Sequence, residues 1–362
     1  MTTGTGASTR RPGTGVQVLQ PLGATDPQQI AGFRLVGRLG RGAMGVVYLG
    51  YRSARPVAVK VIKPALADDP YFRRRFAQEL EAIRRVGGFH TAALVDADPE
   101  AAQPWIATEY VHAPSLLALI EQHGAVSAVG AWWLAAGLAD ALMHIHSVRL
   151  LHRDLKPANV LVASDGVRVI DFGISHVSGL TGLTTVDAAL GTLAYMAPEQ
   201  AADSRRASEA ADVYSLGATL VHAVTGHVPF HAQSVAQRTL DVEPDLEGLP
   251  AELHDLVAHT LAFEAEDRPT AQSVLEEAME RLVDQGLPIG SQAYPPLPAA
   301  FLAGLREHEA APPAPVPTAP ASRPAVHSFG LPQQEQSDRA HAGAWAERWR
   351  DRISDRRADY GG

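Results

Sequence analysis

The run His152-Arg-Asp154-Leu-Lys156-Pro-Ala-Asn159 sets a carboxylate, an ammonium and a side-chain amide within one short stretch. Phosphoryl transfer needs this combination: a carboxylate for the attacking hydroxyl, a cation for the phosphoryl oxygens and an oxygen ligand for metal. Twelve residues after Asn159 comes Asp171-Phe-Gly173, preceded by the strand-like Val167-Arg-Val-Ile170, which puts a second carboxylate at a rigid strand end facing the same cleft. Asn159 and Asp171 can then share a hard divalent cation, magnesium or manganese, whose remaining ligands are phosphate and water oxygens. Two charged loops that merely solvate the edge of a lobe are the competing reading.

A phosphate donor needs its own cradle. Gly40-Arg-Gly42-Ala-Met-Gly45-Val-Val47 is a Gly-x-Gly-x-x-Gly run whose missing side chains let backbone amides approach phosphate oxygens. The strand-like Val46-Val-Tyr-Leu follows it, so the loop belongs to a β-hairpin and not to the strand-to-helix turn of a dinucleotide fold. Alone, it fits an ordinary glycine-rich turn equally well. In Val57-Ala-Val-Lys60 a lysine ends a strand otherwise suited to burial, where an ammonium needs an anionic partner. Glu79, on the helix that follows, is the expected partner; a surface lysine with a buried stem is the alternative.

The elements that must position these groups are legible in the spacing. Phe33 to Leu39, Gly45 to Tyr51 and Pro56 to Ile62 read as three antiparallel strands. Asp69 and Pro70 open a helix whose Phe72, Phe76, Leu80 and Ile83 recur along one face. After a strand at Trp105 to Tyr110 the pattern turns helical, notably Ser127 to His146, and stays so to about Val283. A small β-rich lobe therefore precedes a larger helical one.

Both ends differ in composition. Residues 1–28 are small and polar without periodicity and read as a disordered leader. Residues 284–341 include Ala311-Pro-Pro-Ala-Pro-Val-Pro-Thr-Ala-Pro and read as a flexible Pro/Ala-rich linker, with Pro-x-x-Pro spacings that an aromatic groove could take. A short amphipathic helix is expected within 342–362, where Trp345, Trp349 and Ile353 share a face open to a partner or to the protein's own surface. A formal charge of −9 argues against nucleic-acid binding, and a chain with no cysteine has neither disulfides nor thiolate chemistry. No stretch reads as a membrane span, which predicts a soluble, cytoplasmic protein. Fifteen histidines show no metal-ligand spacing, and His144 and His146 do not share a helix face.

Taken together, the motifs resemble those of the eukaryotic-like (Hanks-type) serine/threonine protein kinases of bacteria, especially actinobacterial ones, over roughly residues 33–283. The resemblance implies an α+β, two-lobed protein-kinase fold, with an N-lobe of about 33–110 and a C-lobe of about 111–283. It implies ATP and magnesium as cofactors, with Lys60 as phosphate lysine, Glu79 as its helix partner, Asp154 as catalytic base and Lys156 as γ-phosphate contact. Gly40, Gly42 and Gly45 would cover the phosphates, and Asn159 and Asp171 would hold the metal. Leu39, Val47, Ala58 and Leu161 would sandwich adenine, Glu109 to Val111 would meet its edge, and Thr108 would be the gatekeeper. By the same resemblance Glu199 of Ala197-Pro-Glu199 pairs with Arg268, Asp212 braces the catalytic loop, and His152 props the metal-binding loop.

Lys156 and Gly191-Thr192 match the family's serine/threonine members, so serine or threonine hydroxyls of proteins are the expected acceptors. Gly87-Gly-Phe-His-Thr-Ala departs from the commoner His-Pro-x-Ile loop and leaves the anchoring of the preceding helix open. Autophosphorylation, in a homodimer acting in trans, is expected on Thr184 or Thr185, with Thr181 a weaker candidate, because Ser175 to Leu190 has no lysine or arginine to anchor it. A pseudokinase-like scaffold without turnover is the rival from another class, opposed by the presence of every catalytic residue type. A small-molecule phosphotransferase is opposed by the Ala-Pro-Glu motif.

Overall fold

The structure is a computed structural model that describes residues 19–42, 44–172, 193–231, 242–287 and 295–311. The N-lobe is built on an antiparallel sheet, β1 (Gln29–Ile30), β2 (Phe33–Arg41), β3 (Gly45–Arg52), β4 (Arg55–Ile62), β5 (Leu94–Asp98) and β6 (Trp105–Glu109), in the order β1-β2-β3-β4-β6-β5. Strand alternation sorts its residues between two faces. One carries Phe33, Leu35, Tyr48, Val57, Val59, Val61, Trp105 and Ala107, which pack as a small core of their own. The other carries Val47, Ala58, Lys60 and Thr108, matched across strands as Val47 with Lys60 and Ala58 with Thr108.

After a short helical turn α1 (Pro64–Ala67), helix α2 (Pro70–Ile83) begins where the sequence places it. The Asp69 carboxylate caps it by accepting from the Tyr71 amide at 2.8 Å, and Pro70 occupies the first turn, where no backbone donor is needed. Its apolar stripe of Phe72, Phe76, Leu80 and Ile83 is buried in a core that runs on into the C-lobe.

The C-lobe contains α3 (Leu116–His123), α4 (Ala128–Ser147), the two-stranded sheet β7 (Val160–Ala163) and β8 (Gly166–Val169), α5 (Pro198–Ala202), α6 (Glu209–Thr225), α7 (His254–Thr260), α8 (Ala271–Asp284) and α9 (Ala299–Ala310). Helices α4 and α6 are apolar nearly all round because other helices cover them on most sides, as for any central helix of a globular core. By length and composition α4 would suffice to cross a membrane, but 72% of its most apolar window is buried inside the protein, so its hydropathy is accounted for by the core.

Both end assignments need correction. The N-terminal segment is tied down from residue 19: the Gln20 backbone pairs with that of Arg38, and Asp26 bonds Arg38 at 2.6 Å and the Tyr48 hydroxyl at 2.8 Å. Asp26 escaped sequence reading because its partners lie 12 and 22 residues ahead. The linker expected over 284–341 contains α9, whose Phe301 and Leu305 are buried, so burial there offsets the cost of ordering a segment that prolines flank on both sides. The remaining leader, the polyproline run and the terminal tryptophan helix lie outside the described residues, as do Thr181, Thr184 and Thr185.

Candidate active site

The C-lobe half of the site is built outward from Asp212, in the first turn of α6 and 1% exposed. Its carboxylate accepts from the amides of His152 (2.8 Å) and Arg153 (2.7 Å) and from Nε2 of His146 (2.8 Å). Burial alone would raise this carboxyl; the bond from His146 and the Arg153 amide outweigh it and hold it below the ordinary carboxylate range. Two consecutive amides drawn to one carboxylate bend the chain, and Arg153 takes a left-handed φ of 63°. A non-glycine residue stays in that region only where its surroundings over-determine it. Here Gln200 Nε2 also grips the Arg153 carbonyl at 2.8 Å.

Asp154 follows this bend. Lys156 Nζ donates to its Oδ1 at 2.8 Å, and Asn159 Nδ2 donates to its backbone oxygen at 2.7 Å and to Oδ2 at 3.1 Å. Asn159 is itself held in the turn Pro157–Asn159, where its carbonyl accepts from the Ile170 amide at 3.0 Å, one residue before Asp171. Fully buried His152 accepts the Asp154 amide on Nδ1 at 3.2 Å and lies beside Phe172. Burial, outweighing the attraction of Asp212, Asp154 and Asp171, keeps its ring neutral. It is a prop between the two motifs.

The N-lobe half contributes Lys60 and Glu79, and here the sequence expectation of a Lys60–Glu79 pair is corrected. Lys60 Nζ sits 3.1 Å from Asp171 Oδ1, while Glu79 Oε1 accepts from Arg153 Nη1 at 3.1 Å. Among the described residues no ion pair joins Lys60 to Glu79. Spacing identified the groups but could not choose among cations, and a guanidinium offers a buried carboxylate a planar fork of donors that an ammonium lacks. Burial pushes the Glu79 carboxyl from the ordinary 4.5 up to about 7, with Arg153 and Arg75 pulling the other way.

Above this cluster β2 and β3 form the glycine-rich hairpin, with Gly40 opposite Val47 and the Gly42 amide donating to the Gly45 carbonyl at 2.9 Å. A side chain at Gly45 would run into the Val61 carbonyl, so only glycine fits there. Among the described residues a side chain at Gly40 or Gly42 would meet nothing within 4 Å, which leaves both backbones open to an incoming group. Of the apolar positions, Val47 and Ala58 share the Lys60 face, Leu39 precedes Gly40 beside a β-bulge, and Leu161 on β7 bridges Ser115 just past Glu109 to Val111.

Comparison with known proteins decides the family. The family profile described as "Protein kinase domain" matches residues 33–279. The chain belongs to the protein kinase family. It is 50% identical over 265 residues to the serine/threonine-protein kinase AfsK of Streptomyces coelicolor, covering 72% of this chain and 33% of that relative. It is 42% identical over 295 residues to the probable serine/threonine-protein kinase PkwA of Thermomonospora curvata, covering 77% of this chain and 40% of that one. The kinase domain of Mycobacterium tuberculosis PknI superposes with a TM-score of 0.57 at 30% identity, covering 70% of this chain and 97% of that one. The chain thus spans about a third of the AfsK relative's length, and the shared region is an actinobacterial, Hanks-type serine/threonine kinase domain with the family's two lobes and its general use of ATP and a divalent cation.

Three further features steady this kinase domain. Arg268, its side chain fully buried, forks onto Glu199 at 2.7 and 2.9 Å and spends its other donors on the carbonyls of Ala262, Ala210 and Phe263. The Gly87-Gly-Phe-His-Thr-Ala departure proves to be an anchor. The carbonyl of His90 accepts from the Val169 amide at 2.8 Å, and the ring Nδ1 of His90 donates to Asp140 at 2.8 Å. Gly88 holds a φ of 121°, with its missing Cβ filled by the His144 ring. Arg73, which no motif singles out, pins α2 to four backbone carbonyls, those of Ala67, Pro99, Ala101 and Ala102.

Proposed function

We propose that this chain transfers the γ-phosphoryl group of ATP to serine or threonine hydroxyls of proteins. The observation that carries the reading is Asp154, a carboxylate presented on a strained, buried-carboxylate-braced loop with Lys156 and Asn159 on its two oxygens. Asp154 would orient the acceptor hydroxyl and take its proton as the bond to phosphorus forms, while Lys156 and Lys60 would neutralise phosphoryl charge. Glycines 40 and 42, open at the position of a Cβ, suit a phosphate cradle. Asn159, whose amide nitrogen is already engaged, and Asp171 offer the hard oxygen ligands that magnesium or manganese prefers. Bound there, the cation would neutralise charge on the phosphate oxygens. Leu39, Val47, Ala58 and Leu161 would contact adenine, and Glu109 to Val111 its edge.

The same reading makes the arrangement of Glu79 an inactive pairing. A phosphate on Thr184 or Thr185, or on Thr181, would compete for Arg153 through charge-assisted bonds and free Glu79 for Lys60. Such a mark would be placed by a second copy of the chain in a transient dimer. A cytoplasmic catalytic domain, with the proline-rich and tryptophan-bearing tail as a partner site, completes the proposal. Label transfer from γ-labelled ATP to a mixed protein substrate, followed by phosphoamino-acid analysis, tests it. Phosphoserine or phosphothreonine with wild-type protein and none with a folded Lys60→Met variant is expected. Phosphotyrosine alone, or no ATP binding, would overturn it, and ATP binding without transfer would favour the scaffold reading.

A further inference from the structure

We infer that α9, which lies beyond the family match ending at residue 279, is a positioning element of the nucleotide site that grips the hinge through His112. The inference rests on the reading of Glu109 to Val111 as the segment that meets adenine.

Helix α9 docks on α3. Phe301 is fully buried with its ring 5.9 Å from that of His123, and Leu305 is 3% exposed. Between them Gly304 leaves room for His123: a Cβ there would collide with its Nε2. One turn later His308, also buried, stacks on His112 with ring centroids 4.5 Å apart and planes 37° from parallel. Where the chain leaves the helix, the Ala311 carbonyl lies 3.0 Å from His112 Nε2. A carbonyl only accepts, so Nε2 carries the proton, and Nδ1 is left to accept from the Tyr110 hydroxyl at 3.2 Å. Tyr110 is the middle residue of the hinge and His112 is the residue after it. The hinge is thereby tied at one end to β6 and along its length, through Tyr110 and His112, to α9.

His308 supports a packing role for its ring. Among the described residues neither of its nitrogens has a hydrogen-bond partner, and burial, reinforced by the neighbouring His112, keeps it neutral. A spacer would not bury a phenylalanine, a leucine and a histidine on one face and then bond its last carbonyl to the hinge.

In the full-length chain, His112→Phe keeps a ring against His308 while removing both hydrogen bonds, and Phe301→Asp undocks the helix at its most buried contact. The expected result for each is a KM for ATP raised on the order of five- to tenfold, with kcat within about twofold and the KM for an acceptor peptide unchanged, as for a lost ground-state positioning contact. Amide hydrogen exchange over residues 109–113, measured without nucleotide, should speed up in both variants. His112→Asn, which restores one donor and one acceptor, should recover part of the ATP affinity. An unchanged KM for ATP and unchanged hinge exchange in His112→Phe would overturn the inference even if Phe301→Asp fails to fold. A wild-type chain that neither binds nor turns over ATP would instead overturn the proposed function, and hinge exchange would still report on α9.

Discussion

The two halves of the site are held in different ways. On the C-lobe side, Asp154 and Asn159 sit on a loop whose bends are set by Asp212, a carboxylate 1% exposed with three donors on it, by Gln200 and by fully buried His152. On the N-lobe side, Lys60 and Glu79 each rest, among the described residues, on one ion pair, and each partner, Asp171 or Arg153, belongs to the other lobe. Many buried bonds around one carboxylate leave a single arrangement, because losing any of them strands a buried polar group. Single pairs between cations and carboxylates can be exchanged at little cost. On the proposed function, the chemistry would sit on the fixed loop and the control on the exchangeable pairs.

The largest effect should come from breaking the fixed half. Asp212→Asn keeps the shape but loses the charge that holds two amides and His146. It should lower stability by about 3 kcal/mol, the scale for breaking a buried charged network, and should reduce phosphoryl transfer at least ~100-fold. Urea unfolding and initial rates check this; wild-type-like values would mean the loop is held elsewhere. Arg153→Met should act in the opposite sense on the exchangeable half. It should raise the activity of dephosphorylated protein a few-fold and remove any dependence on phosphorylation between residues 173 and 192, read by rates before and after phosphatase treatment.

A smaller and purely thermodynamic effect follows from Glu79, whose carboxyl is raised from 4.5 to about 7 in the folded protein. Between those values the folded state holds a proton that the unfolded state has released, so stability falls as pH rises through that window. Melting curves from pH 4.5 to 8 should show this decline in the wild type and a flatter profile for Glu79→Gln. An unchanged difference between the two across the window would contradict the buried, protonatable carboxyl. The smallest effect should come from truncation after Ala311, which keeps α9 and should leave kcat and the KM for ATP within about twofold; a large fall would assign a catalytic role to residues 312–362.

What the sequence disclosed follows the same division. Asp154, Lys156, Asn159 and Asp171 could be singled out because short-range spacing already encodes a loop and a strand end, and the lobes because β2 to β4 are short runs rich in β-branched and aromatic residues while α2 repeats its apolar residues every three or four positions. The partners of Glu79 and Lys60 could not, since choosing between Arg153 and Lys60 depends on how two lobes meet. Nor could α9, whose burial depends on His112 and His123, roughly 180 to 200 residues earlier, and whose own sequence has a weakly segregated apolar face. In the Gly87 to Ala92 loop the sequence does hold a signal: consecutive glycines before His90 mark a close approach, here to His144.

The central claim is that Asp154 performs chemistry on a loop that stands without it. The direct measurement pairs γ-labelled ATP transfer with equilibrium ATP binding for wild type and Asp154→Asn, each checked by circular dichroism. The account predicts an unchanged fold, ATP affinity within about threefold and transfer reduced on the order of 10²- to 10⁴-fold, the range for losing a general base. A folded Asp154→Asn protein that binds ATP and transfers phosphate at the wild-type rate would contradict it.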